Sequence, residues 1–313
     1  MVHVAIIGTG RVGSALAYTL AFEPYIDKLS LVDIVPKLAE MVKEDVYHGI
    51  SQHGINKEIR AYEHSKYVEN ADLIVISAGY PRKPGMSRRD LADENAKIMR
   101  EVVEATLDNN PNAWYFVITN PVDAMTTLVN RVAEGKRKVI GTGTNLETSR
   151  FRIIIARELG VPVSSVEAYV GGEHGEEAVL LWSTVHIDGK PLNDYLEETG
   201  KTLDRSKVES YVKGISVEII RATGGTRWGP AGSFKEIIRG ILLNTGRVLS
   251  YSLPRKLGNI PEPVYVTVPA RIGKSLGPDI WDKLTDEERA GIVKAAEAIY
   301  STYKRALEVS GLA

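Results

Sequence analysis

The sequence predicts an α/β chain: a doubly wound parallel sheet over residues 1–142, followed by a mixed α+β half over residues 143–313. Three observations carry this. Short apolar runs of strand length alternate with stretches of helical periodicity through residue 140, the pattern of repeated βαβ units. The first unit contains the turn Gly8-Thr9-Gly10-Arg11-Val12-Gly13 and closes on an acid, Asp33, 20 residues on from Gly13. Beyond residue 142 the regular alternation is lost, and strand-like and helix-like runs follow in mixed order.

Taken in order, Val2 with Val4 to Ile7 forms an apolar run suited to a buried strand, and Val12, Ala15, Leu16, Thr19 and Leu20 then recur at helical spacing. Leu29 to Val32 is a second strand. Pro36 to Ile50 reads as a helix with Leu38, Met41, Val42 and Val46 on one face. Glu58 to Tyr62 is a short strand and Leu73 to Ile76 a buried one, ending at Ser77-Ala78-Gly79. Tyr80 to Arg89 is a loop with two prolines, a glycine and four basic residues. A helix over Leu91 to Leu107, a strand over Trp114 to Ile118, a helix over Val122 to Val132 and a short strand at Val139-Ile140 complete the first half. In the second half, helices are expected at Asn145 to Glu158, Ser206 to Arg221 and Phe234 to Leu242. Strands are expected at Val166 to Val170, Val179 to His186 and Tyr265 to Val268, with a turn at Asp188-Gly189. Thr285 and Glu288 form a capping box ahead of Ile292, Ala295, Ala296, Ile299 and Tyr303.

Composition narrows the function classes. A net charge of −1 gives no bulk attraction for nucleic acid or a membrane surface. No apolar stretch approaches the ~18 residues of a membrane span, and the first strand begins without a leader pattern; a cytoplasmic location is expected. There is no cysteine, which excludes disulfides and thiolate chemistry. With 25% charged residues and a single glutamine, Gln52, the composition is that expected of a thermophile.

The first βαβ unit has the order that binds dinucleotides in a Rossmann-type sheet. Gly8 permits the tight turn, Gly10 lets a pyrophosphate approach the backbone, and Gly13 lets the helix pack on the sheet. The helix N-terminus offers N–H groups to phosphate, and Asp33 can accept from a ribose 2′-OH. Ligands of such sheets lie at the carboxyl ends of strands, where Gly8, Asp33, Gly79 and Asn120 all fall. Of the six histidines, only His174 sits in a glycine-lined loop directly after a strand, Gly171-Gly172-Glu173-His174-Gly175-Glu176. By pattern it is either an ordinary loop histidine or a catalytic one. A metal role is disfavoured, because no second ligand stands at ligand spacing. Glu147 and Arg150 share a helix face, as a surface pair or as part of a site. The basic loop Tyr80–Arg89 is a solvated turn or a stiff lid whose arginines capture carboxylates.

Several motifs together are similar to those of the lactate/malate dehydrogenase family: Gly8-x-Gly10-x-x-Gly13, Arg82-Lys83-Pro84-Gly85-x-x-Arg88, Thr119-Asn120-Pro121-Val122-Asp123, Gly141-Thr142-x-x-Asn145-Leu146-x-x-x-Arg150-Phe151 and Gly172-Glu173-His174-Gly175. They stand in the family's order across almost the whole chain. The resemblance implies an NAD-dependent 2-hydroxy acid dehydrogenase, active as a homodimer or homotetramer. It implies His174 as proton donor and acceptor, Glu147 as the carboxylate that orients it, Arg150 as the clamp on the C1 carboxylate, Arg88 as the group polarising the carbonyl, and Asn120 as a contact to substrate and nicotinamide. Arg82 falls where the family sets specificity, and arginine there implies a small dicarboxylate, the malate/oxaloacetate pair. On the cofactor side the candidates are Gly8, Thr9, Gly10, Arg11, Val12, Gly13, Asp33, Gly79, Asn95, Val117, Thr119 and Asn120, for NAD and more weakly NADP. The alternatives are a monocarboxylate substrate within the same family, or an NAD-binding sensor without turnover. Two positions depart from the family pattern: 147 and 176 are Glu where Asp is usual, each adding one methylene.

Overall fold

The computed structural model describes residues 1–80 and 88–312, with the side chains of residues 88–90 outside the description. The first half runs β1 (His3–Ile7), α1 (Arg11–Ala21), β2 (Lys28–Val32), α2 (Leu38–Ser51), β3 (Glu58–Tyr62), β4 (Leu73–Ile76), α3 (Arg88–Thr106), β5 (Trp114–Val117), α4 (Val122–Val132) and β6 (Val139–Gly141). The second half continues α5 (Asn145–Leu159), β7 (Val166–Gly172), β8 (Ala178–Ile187), β9 (Lys190–Pro191), α6 (Leu192–Thr199), α7 (Arg205–Thr223) and α8 (Trp228–Leu243). It ends with β10 (Val248–Leu249), β11 (Ser252–Arg255), β12 (Val264–Thr267), β13 (Ala270–Arg271) and α9 (Asp286–Ser310).

Strands β3-β2-β1-β4-β5-β6 are parallel and lie in that order, the doubly wound arrangement whose crevice opens between β1 and β4. The sheet then continues through β11, β12, β7, β8 and β9 with antiparallel pairing, joined at β6 by the bridge between Ser252 and Gly141. The continuous apolar runs of the parallel strands have a simple cause, which is burial on both faces. In β1, Ala5 and Ile7 face one core while Val4 and Ile6 face the other. The first core is closed by Met99 and Val103 of α3, Leu128 of α4, and Ile299 and Tyr303 of α9. The second is closed by Leu16 and Leu20 of α1, Ile50 of α2, and Ile237 and Ile241 of α8. Two helices from beyond residue 220 thus cover the sheet of the first half. A third core, around Phe151, Ile155, Val170 and Leu180, lies within the second half.

The capping box is present. Thr285 Oγ1 accepts from Glu288 N at 3.2 Å, and Glu288 Oε2 accepts from Thr285 N at 2.9 Å. The Glu288 carboxylate also accepts from Ser183 N and Oγ, at 2.9 and 2.6 Å, so a local cap doubles as a tie to β8.

Several sequence expectations need correction. The helix expected from Leu91 begins at Arg88, so the last two residues of the expected Tyr80–Arg89 loop are helical. The short strands β10, β11 and β13 were not expected. The helix expected from Pro36 begins at Leu38, because Lys37 takes a left-handed φ of 63° at its N-cap. The helix expected from Phe234 begins six residues earlier, at Trp228. Its first turns carry Gly229, Pro230 and Gly232, all poor helix formers, but burial of Pro230 and Ala231 outweighs that propensity. Helix α6 was not expected; its eight residues are too few for helical periodicity to stand out.

Candidate active site

The turn after β1 shows why three glycines are spaced as they are. Gly8 has a φ of +94°, and a Cβ there would meet Ala78 N at 2.4 Å. A Cβ on Gly13 would stand 1.9 Å from Gly8 O, so this glycine lets α1 approach the strand. Gly10 differs, because no described atom lies within 4 Å of its would-be Cβ. Packing does not require glycine there, whereas close approach of a ligand does. Helix α1 begins with no side-chain cap and no acid in its first turn, which leaves its N–H groups and positive end open to an anion. The residues therefore fit the pyrophosphate of a dinucleotide.

Asp33, at the end of β2, is held in place. Its Oδ2 accepts from Thr9 N at 2.8 Å and Thr9 Oγ1 at 3.2 Å, and its Oδ1 from Val35 N at 3.0 Å. The buried Thr9 thus fixes the acid at the end of β2. Asn95 is fully engaged: its Oδ1 accepts from Tyr80 N and its Nδ2 donates to Asn120 O, both at 2.7 Å. It braces the ends of β4 and β5 against each other. Thr119 donates to Ala78 O at 2.6 Å, and its methyl would lie 3.0 Å from a Cβ at Gly79. Val117 is fully buried in β5, beneath the crevice, while Asn120 at the strand end is exposed. Val12 is half-buried at the start of α1. Arg11 reaches across to the second half, where Nη1 donates to Thr223 O at 3.1 Å beside Gly224 and Gly225.

The second cluster lies at the start of α5. Glu147 is buried and shared between two cations. Its Oε2 lies 3.0 Å from His174 Nδ1, and its Oε1 accepts from Arg150 Nη1 at 3.1 Å. The sequence places Glu147 and Arg150 three apart on the same helix face, and His174 arrives from the turn between β7 and β8. The left-handed φ of +81° at Gly172 bends the chain there, and a Cβ would meet Glu177 O at 2.5 Å. The extra methylene of Glu147, relative to the usual Asp, still brings a carboxylate within hydrogen-bond distance of the ring.

Electrostatics set the charge states. Burial raises the Glu147 acid's pKa, but the His174 ring and the Arg150 guanidinium outweigh this and hold it below the usual glutamate range. Ionised, Glu147 only accepts, so Nδ1 carries the proton and Nε2 is the nitrogen left to act. Burial would lower His174. The Glu147 carboxylate, with a smaller contribution from Asp123, overcomes both this and the opposing Arg150 charge, and the net direction is upward. Arg150 also lines a cavity of about 460 Å³ between α5, the end of α7 and the start of α8. Thr226 and Trp228 form part of its wall and escaped sequence reasoning. The paired glycines Gly224-Gly225, set between α7 and α8, are the one sequence signal that could have marked it.

Arg82 lies outside the described residues. Arg88 opens α3, but its side chain lies outside the description.

The chain belongs to the lactate/malate dehydrogenase family. Residues 2–141 match the model of the lactate/malate dehydrogenase NAD binding domain, and residues 144–309 that of the family's alpha/beta C-terminal domain. It is accordingly an NAD-dependent 2-hydroxy acid dehydrogenase. Among its relatives, the malate dehydrogenase of Sulfolobus acidocaldarius is 39% identical over 98% of each chain. The L-lactate dehydrogenase of Thermus aquaticus is 33% identical over 95% of this chain and 96% of its own. Among solved structures, malate dehydrogenase from Plasmodium falciparum superposes with a TM-score of 0.90 at 25% identity, covering 99% of this chain and 100% of that one. No helix among the described residues is long and apolar enough to cross a membrane.

Proposed function

We propose that this chain is a malate dehydrogenase, interconverting (S)-malate and oxaloacetate with His174 as general acid and base. The observation that carries the reading is the single carboxylate, Glu147, bonded to His174 on one oxygen and Arg150 on the other. That arrangement holds a protonatable ring beside a cation suited to a substrate carboxylate. NAD, when bound, supplies the hydride acceptor at nicotinamide C4. The chain does the rest. Residues 1–142 hold the dinucleotide, and residues 143–313 hold the proton relay and the carboxylate clamp. In oxidation, His174 Nε2 takes the hydroxyl proton; in reduction it returns one to the carbonyl oxygen. Glu147 stabilises the imidazolium and fixes the ring's orientation. Arg150 pairs with the C1 carboxylate and Asn120 contacts substrate and nicotinamide. Arg88, at the carbonyl oxygen, and Arg82, at the distal carboxylate, enter from the sequence alone. A homodimer or homotetramer belongs to the same proposal. The decisive measurement follows the absorbance of NADH on adding oxaloacetate or pyruvate. Preference for pyruvate would overturn the malate assignment and favour lactate, and turnover of neither would favour a binding protein.

Two further outcomes are expected. Reduction consumes the imidazolium, which is present below the pKa of His174. Glu147→Gln keeps an acceptor for Nδ1 but removes the charge that raises that pKa. The alkaline limb of oxaloacetate reduction should therefore move down by roughly one pH unit or more, and an unmoved profile would count against the pairing. The second concerns Asp33. Its charge should repel a 2′-phosphate, tempered by the nearby Lys37, so NADH should be preferred to NADPH. Asp33→Ser should narrow the ratio of kcat/KM by about tenfold, a change of ~1.4 kcal/mol. Equal kcat/KM for both cofactors in the wild type would show that Asp33 does not govern the choice.

A further inference from the structure

Asp123 is a buried carboxylate at the site to which the catalytic scheme above gives no work. It lies in the first turn of α4 and is 2% exposed. Its Oδ2 accepts the main-chain N–H of His174 at 2.8 Å, across 51 residues of sequence and from the other half of the molecule. Its Oδ1 is also buried and has no hydrogen-bond partner of good geometry among the described residues. The Ser252 hydroxyl of β11 faces it, off the best hydrogen-bond geometry but close enough to favour its charged form. Burying a carboxylate is expensive even with a hydroxyl facing it, and a structural tie to one N–H needs no charge. A neutral side chain such as asparagine would bond the same N–H at lower desolvation cost.

We propose that Asp123 is a positioning residue for the proton relay: its carboxylate pins the main chain of His174, and so the ring, to the sheet end of the dinucleotide-binding half. His174 is then held from two sides. Glu147 of α5 sets the direction of Nδ1, and Asp123 of α4 sets where the backbone presents the ring. Neither contact alone fixes a side chain on a glycine-flanked turn. Gly175 follows His174 directly and Gly172 precedes it by two residues, so the turn has little stiffness of its own.

The charge has a second effect. The groups facing Asp123 are His174, Glu173 and Ser252, and those facing His174 are Glu147, Asp123 and Arg150. Burial pushes the Asp123 acid up to about 7, opposed by the His174 N–H and ring. Its negative charge in turn favours the imidazolium. The two groups are therefore coupled, the charge on either favouring the charge on the other. As pH rises toward neutrality, Asp123 gains charge and helps His174 keep its proton.

This inference rests on reading His174 as the relay, and its test separates the two. The His174 ring is titrated by NMR in the full-length protein without substrate, with the resonance assigned by its loss in His174→Asn. Wild type, Asp123→Asn and Asp123→Ala are compared, together with kcat, KM for oxaloacetate, NADH affinity and thermal unfolding. Asp123→Asn should lower the ring's midpoint by roughly half a pH unit, since a nearby charge is removed. Asp123→Ala, which also loses the tie to the backbone, should lower kcat by about tenfold or more, ~1.4 kcal/mol in the barrier. NADH affinity should be kept, and Asp123→Asn should recover part of the kcat loss. An unmoved midpoint in Asp123→Asn, or a near-native kcat in Asp123→Ala, would overturn the proposal. So would a parallel loss of kcat, NADH affinity and cooperative unfolding, which marks a folding role only. If no 2-hydroxy acid is turned over while the midpoint still moves with Asp123, the assigned function fails and the coupling of Asp123 to His174 stands.

Discussion

His174→Asn is expected to lower kcat for oxaloacetate reduction by roughly 10²–10⁴-fold, the usual contribution of a positioned general acid. NADH affinity should be almost unchanged, because the imidazole comes from the turn between β7 and β8, beside Glu147 of α5, while the pyrophosphate is proposed to lie at the start of α1. The substitution leaves Glu147 bonded to Arg150, and asparagine can still donate toward the carboxylate, so the fold should persist. The check is single-turnover and steady-state kinetics across pH with both cofactor forms. In the wild type the profile of reduction should fall through a pKa raised above the ordinary histidine range, as the net effect of Glu147 and Asp123 against burial and Arg150 requires. In His174→Asn that limb should vanish. Near-native kcat in the variant would remove the proton relay from the scheme.

The second large effect concerns substrate choice. A dicarboxylate would bring two charges to the proposed site, and Arg150 would answer one of them. Arg82 lies outside the described residues, so its role rests on its position in the Arg82-Lys83-Pro84-Gly85-x-x-Arg88 motif. Removing one member of a desolvated ion pair typically costs about 3–5 kcal/mol, because the remaining charge is stranded. Arg82→Gln strands the distal carboxylate of oxaloacetate. With pyruvate, it is the wild type that leaves an arginine unanswered, and glutamine relieves this. Both changes push selectivity the same way, so the oxaloacetate-to-pyruvate ratio of kcat/KM should fall by at least about two orders of magnitude. Measuring both substrates with both proteins tests this. A ratio that barely moves would identify Arg82 as a solvated loop residue.

Local order in the chain determined what was legible beforehand. Strand β1, the three-glycine turn, helix α1, strand β2 and Asp33 are contiguous, and each obeys a short-range rule: a turn needing positive φ, a helix needing close approach, a strand buried on both faces. The Thr285–Glu288 cap is equally local. Elements decided by distant packing were hidden. The start of α8 contradicts its own propensity because the surroundings of Pro230 and Ala231 bury them. In β11, Pro254 argues against a strand. Its missing N–H is tolerated because β6 bridges β11 only at Ser252 and leaves the edge beside Pro254 without a partner among the described strands. The site divides in the same way. Glu147 and Arg150 pair by helix spacing, but nothing periodic joins either to His174, 27 residues from Glu147, and only the family resemblance brought them together beforehand. Asp123 stood in view within Asn120-Pro121-Val122-Asp123, yet its partner is a backbone N–H, and backbone partners leave no mark on composition or pattern.

The cover of the first-half sheet by α8 and α9 has a consequence for how the protein comes into being. When synthesis has reached residue 227, the phosphate-binding turn and all six parallel strands exist, but Leu16 and Leu20 still lack Ile237 and Ile241, and Met99 and Val103 lack Ile299 and Tyr303. The face of Leu16 and Leu20 stays wet until α8 has emerged, and that of Met99 and Val103 until nearly the whole chain has. The closing contacts span some of the longest separations the chain offers, and such contacts are formed late and slowly. The nascent first half is thus no free-standing nucleotide module waiting for its catalytic partner. The turn of Gly8 to Gly13 gains its full support only when the end of the chain folds back over its beginning.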